Sequence, residues 1–212
     1  MGWKTSKAGA QTGGLLASRP GRGSPQTADR SVRIVAGTWR GRRVPFLPVP
    51  GLRPTPDRVR ETLFNWLQRA VVGARCLDLY AGTGALAFEA LSRGAVSAVL
   101  VEQDLRVVRQ LREVAGILGA TQARVVEGDA RAFLKGSAEP FDLVFLDPPF
   151  ALGALTELCT LLADGGWLAP AALIYLEQSV RDAPTDLPQG WRVVRETRAG
   201  EVRAQLVQRD GG

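Results

Sequence analysis

The sharpest chemical signal in the chain is Asp147-Pro-Pro-Phe150, which directly follows the apolar run Phe141-Asp-Leu-Val-Phe-Leu146. Two prolines after a buried strand make a rigid bend with few backbone donors and leave carbonyl groups free to accept. The Asp147 carboxylate and the Pro148 carbonyl then accept together from one –NH2 group, and Phe150 offers a flat face on which a base stacks. Three more acids close apolar runs upstream. Asp78 opens the loop Asp78-Leu-Tyr-Ala-Gly-Thr-Gly84, Glu102 lies 20 residues after Gly82, and Asp129 sits between Gly128 and Ala130. Gly82 and Gly84, with Ala81 before them, let the backbone turn tightly and approach a ligand with no Cβ in the way. Asp78 is placed to anchor that loop or to meet an ammonium group. Glu102 is spaced to accept two hydrogen bonds from a ribose diol, and Asp129 with Ala130 is placed to meet an adenine amino group. Each acid alone reads equally well as a helix N-cap, Asp129 in particular. Gly82-Thr-Gly-Ala-Leu-Ala87 alone fits the dinucleotide pattern G-x-G-x-x-G/A. Acids at four successive strand ends form a pattern that chance seldom produces.

The elements that must carry these residues alternate. Strands are expected at Cys76–Tyr80, Ala98–Val101, Ala123–Glu127, Phe141–Leu146 and within Trp167–Leu176. Helices are expected at Ala85–Arg93, Leu105–Leu118, in a short stretch after Asp129, and across Leu155–Leu162, with Trp191–Thr197 and Glu201–Gln208 as a closing hairpin. Such alternation implies a parallel sheet covered on both faces, with ligands at the carboxyl ends of its strands. Upstream, Val32–Val35 and Val44–Phe46 flank Gly37-Thr-Trp-Arg-Gly-Arg-Arg43 and read as a β-hairpin with a basic tip. Five prolines between Pro45 and Pro56 hold the chain extended, and helical spacing runs from Asp57 to Ala70. The domain reading is therefore a Gly- and Ser-rich basic tail over 1–30, expected to be disordered, a hairpin and helix over 31–70, and an α/β domain over 71–212.

Charge is distributed unevenly along the 212 residues. The net formal charge is +6, but residues 1–60 carry 12 Lys/Arg against two acids, while the remainder carries 15 against 19. A basic end on a mildly acidic body suggests a polyanion partner. Trp39, Arg40, Arg42, Arg43, Arg53 and Arg58 are the candidates for stacking on a nucleic acid and contacting its phosphates; a solvated face is the plainer reading. The chain has no histidine, which excludes Ser-His and Cys-His catalytic pairs and HExxH zinc sites. The two cysteines, Cys76 and Cys159, form no CxxC. With no disulfide framework, no apolar run long enough for a membrane span and no secretory signal, the cytoplasm is the expected compartment. No heptad run demands a dimer, so a monomer is expected.

Together, Asp78–Gly84 and Asp147-Pro-Pro-Phe150 resemble class I S-adenosylmethionine (SAM)-dependent methyltransferases acting on exocyclic amines of nucleic acids. Arg33-Ile-Val-Ala-Gly37, Trp39-Arg-Gly-Arg42, Arg53-Pro-Thr55 and Asp57-Arg-Val-Arg-Glu-Thr-Leu-Phe-Asn-Trp-Leu67 narrow the resemblance to the bacterial 16S rRNA guanine-N2 methyltransferase family, from about Val32 to Gln208. The resemblance implies a Rossmann-like, seven-stranded, mostly parallel sheet with an N-terminal hairpin and helix extension. It implies SAM as cofactor and 16S rRNA, within the small ribosomal subunit or an assembly intermediate, as partner. Asp78, Ala81, Gly82 and Gly84 fall to the methionine end of SAM, Glu102 to the ribose, and Asp129 and Ala130 to the adenine. Asp147, Pro148 and Phe150 receive the target base, and Thr55 and Arg60 touch cofactor or substrate. Family members usually begin just before Arg33, so residues 1–30 are read as a lineage-specific extension or as lying upstream of a translation start near Val32. The other readings of the residues are an adenine-N6 methyltransferase, a nicotinamide-dependent oxidoreductase and a non-catalytic RNA-binding assembly factor.

Overall fold

The computed structural model describes residues 1–2, 30–49, 55–149 and 153–209. A short antiparallel pair, β1 (Ser31–Arg33) and β2 (Arg43–Pro45), leads to helix α1 (Asp57–Trp66). Then follow β3 (Arg75–Asp78), α2 (Ala85–Ser92), β4 (Ser97–Glu102), α3 (Leu105–Leu118), β5 (Ala123–Glu127) and α4 (Ala130–Leu134). The chain continues through β6 (Phe141–Leu146), α5 (Leu155–Asp164), β7 (Leu168–Ser179), β8 (Trp191–Ala199) and β9 (Val202–Arg209). Seven strands form one sheet in the order β5-β4-β3-β6-β7-β9-β8. β3 to β7 are parallel, and β9 runs antiparallel to both neighbours. After β3 the chain builds outward to β5, then returns to the other side of β3 to place β6. The strand order therefore reverses between β3 and β6, where sheets of this kind open a ligand crevice.

The central strands carry apolar residues on both faces, Cys76–Leu77, Ala98–Val101 and Leu143–Leu146, because both faces are covered. Cys76, Leu100, Leu143 and Phe145 face a cluster holding Leu63 and Phe64 of α1, Phe88 of α2 and Leu111 of α3. Leu77, Val99, Val101, Val144 and Leu146 face the opposite cluster with Leu134 of α4 and Leu158 and Leu162 of α5. Local signals fix the α3 ends: the Asp104 carboxylate accepts from the Arg106 N–H, and Gly119 closes the helix at φ 67°. Helix α1 stops at Trp66, four residues short of the expected Ala70; turns follow, and Gly73 at φ 76° redirects the chain into β3. Among the described residues no helix is long and apolar enough to cross a membrane.

The hairpin is fastened to α2 by two buried polar side chains. The Glu89 carboxylate accepts from the Val35 N–H at 2.7 Å, the Ala36 N–H at 3.0 Å and the Arg93 Nε–H at 2.6 Å. Ser92 Oγ donates to the Ala36 carbonyl at 2.6 Å and accepts from the Trp39 N–H at 2.9 Å. Trp39 packs into the α1–α2 cluster and is 8% exposed. This corrects the reading of Trp39 as a stacking platform: its ring is part of the core beneath the basic turn. At Gly37 (φ 82°) the chain passes so close to α2 that a Cβ would lie 1.8 Å from the Ser92 carbonyl oxygen.

Replacing Gly37 by alanine must therefore lift the hairpin off α2. We expect Gly37→Ala to lose at least ~2 kcal/mol and to expose residues 31–46 to limited proteolysis. Gly41→Ala is the control, because Gly41 shares the left-handed backbone (φ 83°) but has open space around it; it should lose about 1 kcal/mol. Equal losses in thermal unfolding would contradict the close-approach argument.

Candidate active site

The carboxyl ends of β3, β4, β6 and β7 converge on one edge of the sheet. β3 delivers Asp78, which is 2% exposed. Burial, and secondarily the charge of Glu102, push its carboxyl up to about 7, although backbone N–H groups of Ala87 and Tyr80 donate to it. The loop beyond it is tied to the sheet by Leu79 N–H to the Phe145 carbonyl and Ala81 N–H to the Val101 carbonyl, and it closes with Gly84 N–H to the Ala81 carbonyl at 2.6 Å. Gly82 and Gly84 sit at φ 49° and 74°. A Cβ on Gly84 would come within 2.5 Å of the Phe88 ring, so α2 packs directly against this bare backbone.

Glu102 at the end of β4 is a bridge. Its Oε2 accepts from the Gly82 N–H at 3.0 Å and its Oε1 from the Asp104 N–H at 2.9 Å. Each oxygen keeps a second lone pair, so the carboxylate is held in place and still able to accept from a diol. Asp129 caps α4, its Oδ1 accepting from the N–H groups of Arg131 and Ala132. Its N-cap role is thus real, and Oδ2 makes no hydrogen bond among the described residues. Ala130 beside it is buried.

After β6, Asp147 is half-buried and Pro148 buried. The Thr55 hydroxyl, itself buried, lies 3.5 Å from Asp147 Oδ2 as its donor. Burial raises the Asp147 carboxyl well above the usual range, and the neighbouring charges of Glu177 and Asp78 add to this. The structure thus brings Thr55, Asp78 and Asp147 together, with Glu102 next to Asp78. It places Arg60 differently from the sequence reading. Arg60 is 1% exposed, and its Nη2 donates to the Arg33 carbonyl at 2.9 Å and to Asp57 at 2.8 Å. Its guanidinium is committed to joining α1 to β1, which corrects its assignment as a cofactor contact. Arg40, Arg42, Arg43 and Arg58 are exposed. Arg42 reaches the Ile117 carbonyl and Arg43 the Ser31 hydroxyl. Arg53 and Phe150 lie outside the described residues.

Two residues at or beside the site escaped the sequence reading. Glu89 is the single charged residue in the Ala85–Ser92 helix, and Glu177 sits within the buried run Ile174-Tyr-Leu-Glu-Gln178. An acid inside an apolar element was the available signal in both cases.

Comparison with known proteins places this geometry. The family model described as Conserved hypothetical protein 95 matches residues 32–208. Ribosomal RNA small subunit methyltransferase D of Escherichia coli strain K12 is 50% identical over 179 residues, covering 84% of this chain and 90% of that protein. The solved structure of a putative methyltransferase from Escherichia coli matches with a TM-score of 0.78 at 50% identity, covering 86% of this chain and all (100%) of that one. An RNA methyltransferase from Salinibacter ruber, solved with S-adenosyl-L-homocysteine, shares the fold at a TM-score of 0.58 and 19% identity, over 74% of this chain and 94% of that one. The fold and the strand-end site define a class I SAM-dependent methyltransferase. Within that class the chain belongs to the Conserved hypothetical protein 95 family, a bacterial small-subunit rRNA methyltransferase family.

The residues present suit the cofactor of that class. Bare glycine backbone and a buried acid follow β3, a doubly anchored carboxylate ends β4, and a carboxylate with one unused oxygen follows β5. The raised Asp78 carboxyl has a measurable consequence. A carboxyl whose native pKa, about 7, exceeds its unfolded value of 3.8 binds its proton more tightly in the native state. Its contribution to stability therefore falls as pH rises between these values. Asp78→Asn should match wild type near pH 4 and exceed it by a few kcal/mol at pH 8 in the absence of ligand, measured by denaturant unfolding. A difference that stays constant with pH would contradict a buried, proton-retaining Asp78.

Proposed function

We propose that the protein transfers the methyl group of SAM to the exocyclic N2 amine of a guanine in 16S rRNA. The observation that carries this reading is the Asp147 carboxyl at the end of β6. It is poor in donors, faces a second acid, and is followed by a buried proline whose ring nitrogen has no hydrogen to give. Its relative's designation as a small-subunit rRNA methyltransferase supports rRNA as the polymer.

The N2 lone pair of guanine is delocalised into the ring, which makes N2 a weak nucleophile. Donation from the –NH2 group to Asp147 and to the Pro148 carbonyl favours a more tetrahedral nitrogen with its lone pair directed outward. SAM supplies a sulfonium methyl group electrophilic enough for direct displacement by an amine. The chain's main task is then alignment. As N2 gains a bond it becomes cationic and acidic; Asp147 stabilises that charge, and the proton leaves to it or to water. A carboxylate suffices for this, in keeping with a sequence that has no histidine. Gly82, Gly84 and Asp78 would hold the methionine end of the cofactor, Glu102 the ribose, and Asp129 with Ala130 the adenine. Thr55 would orient Asp147. The base must leave its stack to enter, and Phe150 would provide the face that receives it.

Two outcomes test this reading. Asp147→Ala should lower methyl transfer by about 1,000-fold while the SAM dissociation constant, measured calorimetrically, stays near wild type; a matching loss of SAM affinity would assign Asp147 to the cofactor instead. Neutralising exposed arginines of the basic segment should act on RNA alone. Arg40→Gln or Arg58→Gln should each weaken rRNA binding and lower the slope of log affinity against log salt by about 1. An unchanged slope in both would remove this segment from the RNA contact.

A further inference from the structure

Methyl transfer as derived above uses Asp147 and leaves the buried carboxyl beside it without a task. β6 and β7 are parallel neighbours in the register Phe145↔Tyr175 and Leu146↔Leu176. One residue further on, Asp147 comes level with Glu177. Phe145 and Tyr175 belong to the cluster on the α1 and α2 side, Leu146 and Leu176 to the opposite one. Period-two alternation therefore turns Asp147 and Glu177 to the α1 side, where Thr55 meets Asp147. Glu177 is 4% exposed, and the Tyr175 hydroxyl donates to its Oε2 at 2.6 Å. Tyr175 is held in turn by edge-on packing against Phe145, with ring centroids 6.5 Å apart.

Among the described residues neither Asp147 nor Glu177 has an ion-pair partner. Burial raises the pKa of both, and the charge of Glu177 raises that of Asp147 further. If Glu177 served only to accept the Tyr175 hydroxyl, a glutamine would do so without a second buried acid. A half-buried Asp147 carboxyl beside the buried Glu177 carboxyl, each with one hydroxyl donor, calls for a ligand that brings two adjacent donors. The Watson–Crick edge of guanine has this pattern, N1–H next to N2–H2. Adenine instead sets an unprotonated N1 beside its amine and would direct a lone pair at a carboxylate.

We propose that Glu177, oriented by Tyr175, accepts the N1–H of the target guanine while Asp147 accepts from N2, so that Glu177 selects guanine over adenine. This rests on the guanine-N2 reading and adds to it the residue that enforces the base. A site built around a hydrogen bond rejects an analogue lacking the donor far more strongly than one built on shape, because its buried acceptor is left unpaired.

The probe is 2,6-diaminopurine, which keeps the 2-amino group but carries an unprotonated N1. Small subunits are reconstituted with 16S rRNA bearing guanine or diaminopurine at the nucleotide methylated by the wild-type protein, and kcat/KM is measured on both. Wild type should prefer guanine by about 100-fold or more. Glu177→Gln, whose amide can donate to N1, should lose activity on guanine and bring the two substrates to within about 10-fold, with S-adenosylhomocysteine affinity unchanged and thermal stability no lower than that of wild type. The proposal is overturned by a wild type that uses both substrates equally, a result independent of how the variant folds, or by a Glu177→Gln preference equal to that of wild type. Methyladenosine as the wild-type product would instead overturn the guanine-N2 reading beneath it. N2-methylguanosine with an unchanged Glu177→Gln preference overturns the role of Glu177 alone.

Discussion

Ionising a carboxyl group inside a protein is unfavourable unless donors or cations surround it. This chain puts Asp78, Asp147 and Glu177 near the carboxyl ends of three adjacent strands, β3, β6 and β7. Their hydrogen-bond partners are few: backbone N–H groups for Asp78, the Thr55 hydroxyl for Asp147 and the Tyr175 hydroxyl for Glu177. Such an edge is unsatisfied until ligands arrive. On the proposed function, a cationic cofactor and an amine-bearing base would be the two ligands that complete it, one bringing positive charge and the other adjacent N–H donors. Other features of the fold can be understood as holding these acids in place against their tendency to seek water.

The parallel sheet does this for the backbone. Helices cover both faces, strand reversal between β3 and β6 opens the crevice, and Glu102 ties the glycine loop to the β4–α3 turn through two N–H groups. The N-terminal segment does it for the rim. Glu89 and Ser92 fasten the hairpin to α2, the helix that starts at Gly84. Arg60 then ties α1 to the end of β1. The basic hairpin and the glycine loop are therefore mounted on opposite ends of one helix and its attachments; on the proposed function, an RNA held by the former would be presented to the latter.

Much of this was legible in the residue order where the signals are local. The extents of α3, β5 and β6 agree with their apolar runs because caps and glycines mark their ends: Asp104 and Gly119 for α3, and Pro148 just beyond β6. The strand-end acids were visible as residue types at the right spacing, and Asp129 turned out to do what any acid there would do, cap a helix. What was hidden depends on partners far along the chain. Trp39 looked like an exposed aromatic among arginines because its burial comes from α2, 53 residues on in the bond from its N–H to Ser92. Arg60 read as a cofactor or substrate contact because the acceptor that holds it, the Arg33 carbonyl of the hairpin, lies 27 residues upstream. Glu177 carries no local motif; only the β6–β7 register sets it beside Asp147.

Which atom receives the methyl group is the central question for this protein. Labelled methyl transfer from SAM into the 16S rRNA of unmodified small subunits, followed by digestion to nucleosides, reads that atom. Label is expected in N2-methylguanosine. Label in methyladenosine, or no incorporation by protein that still binds SAM, would contradict the proposed function.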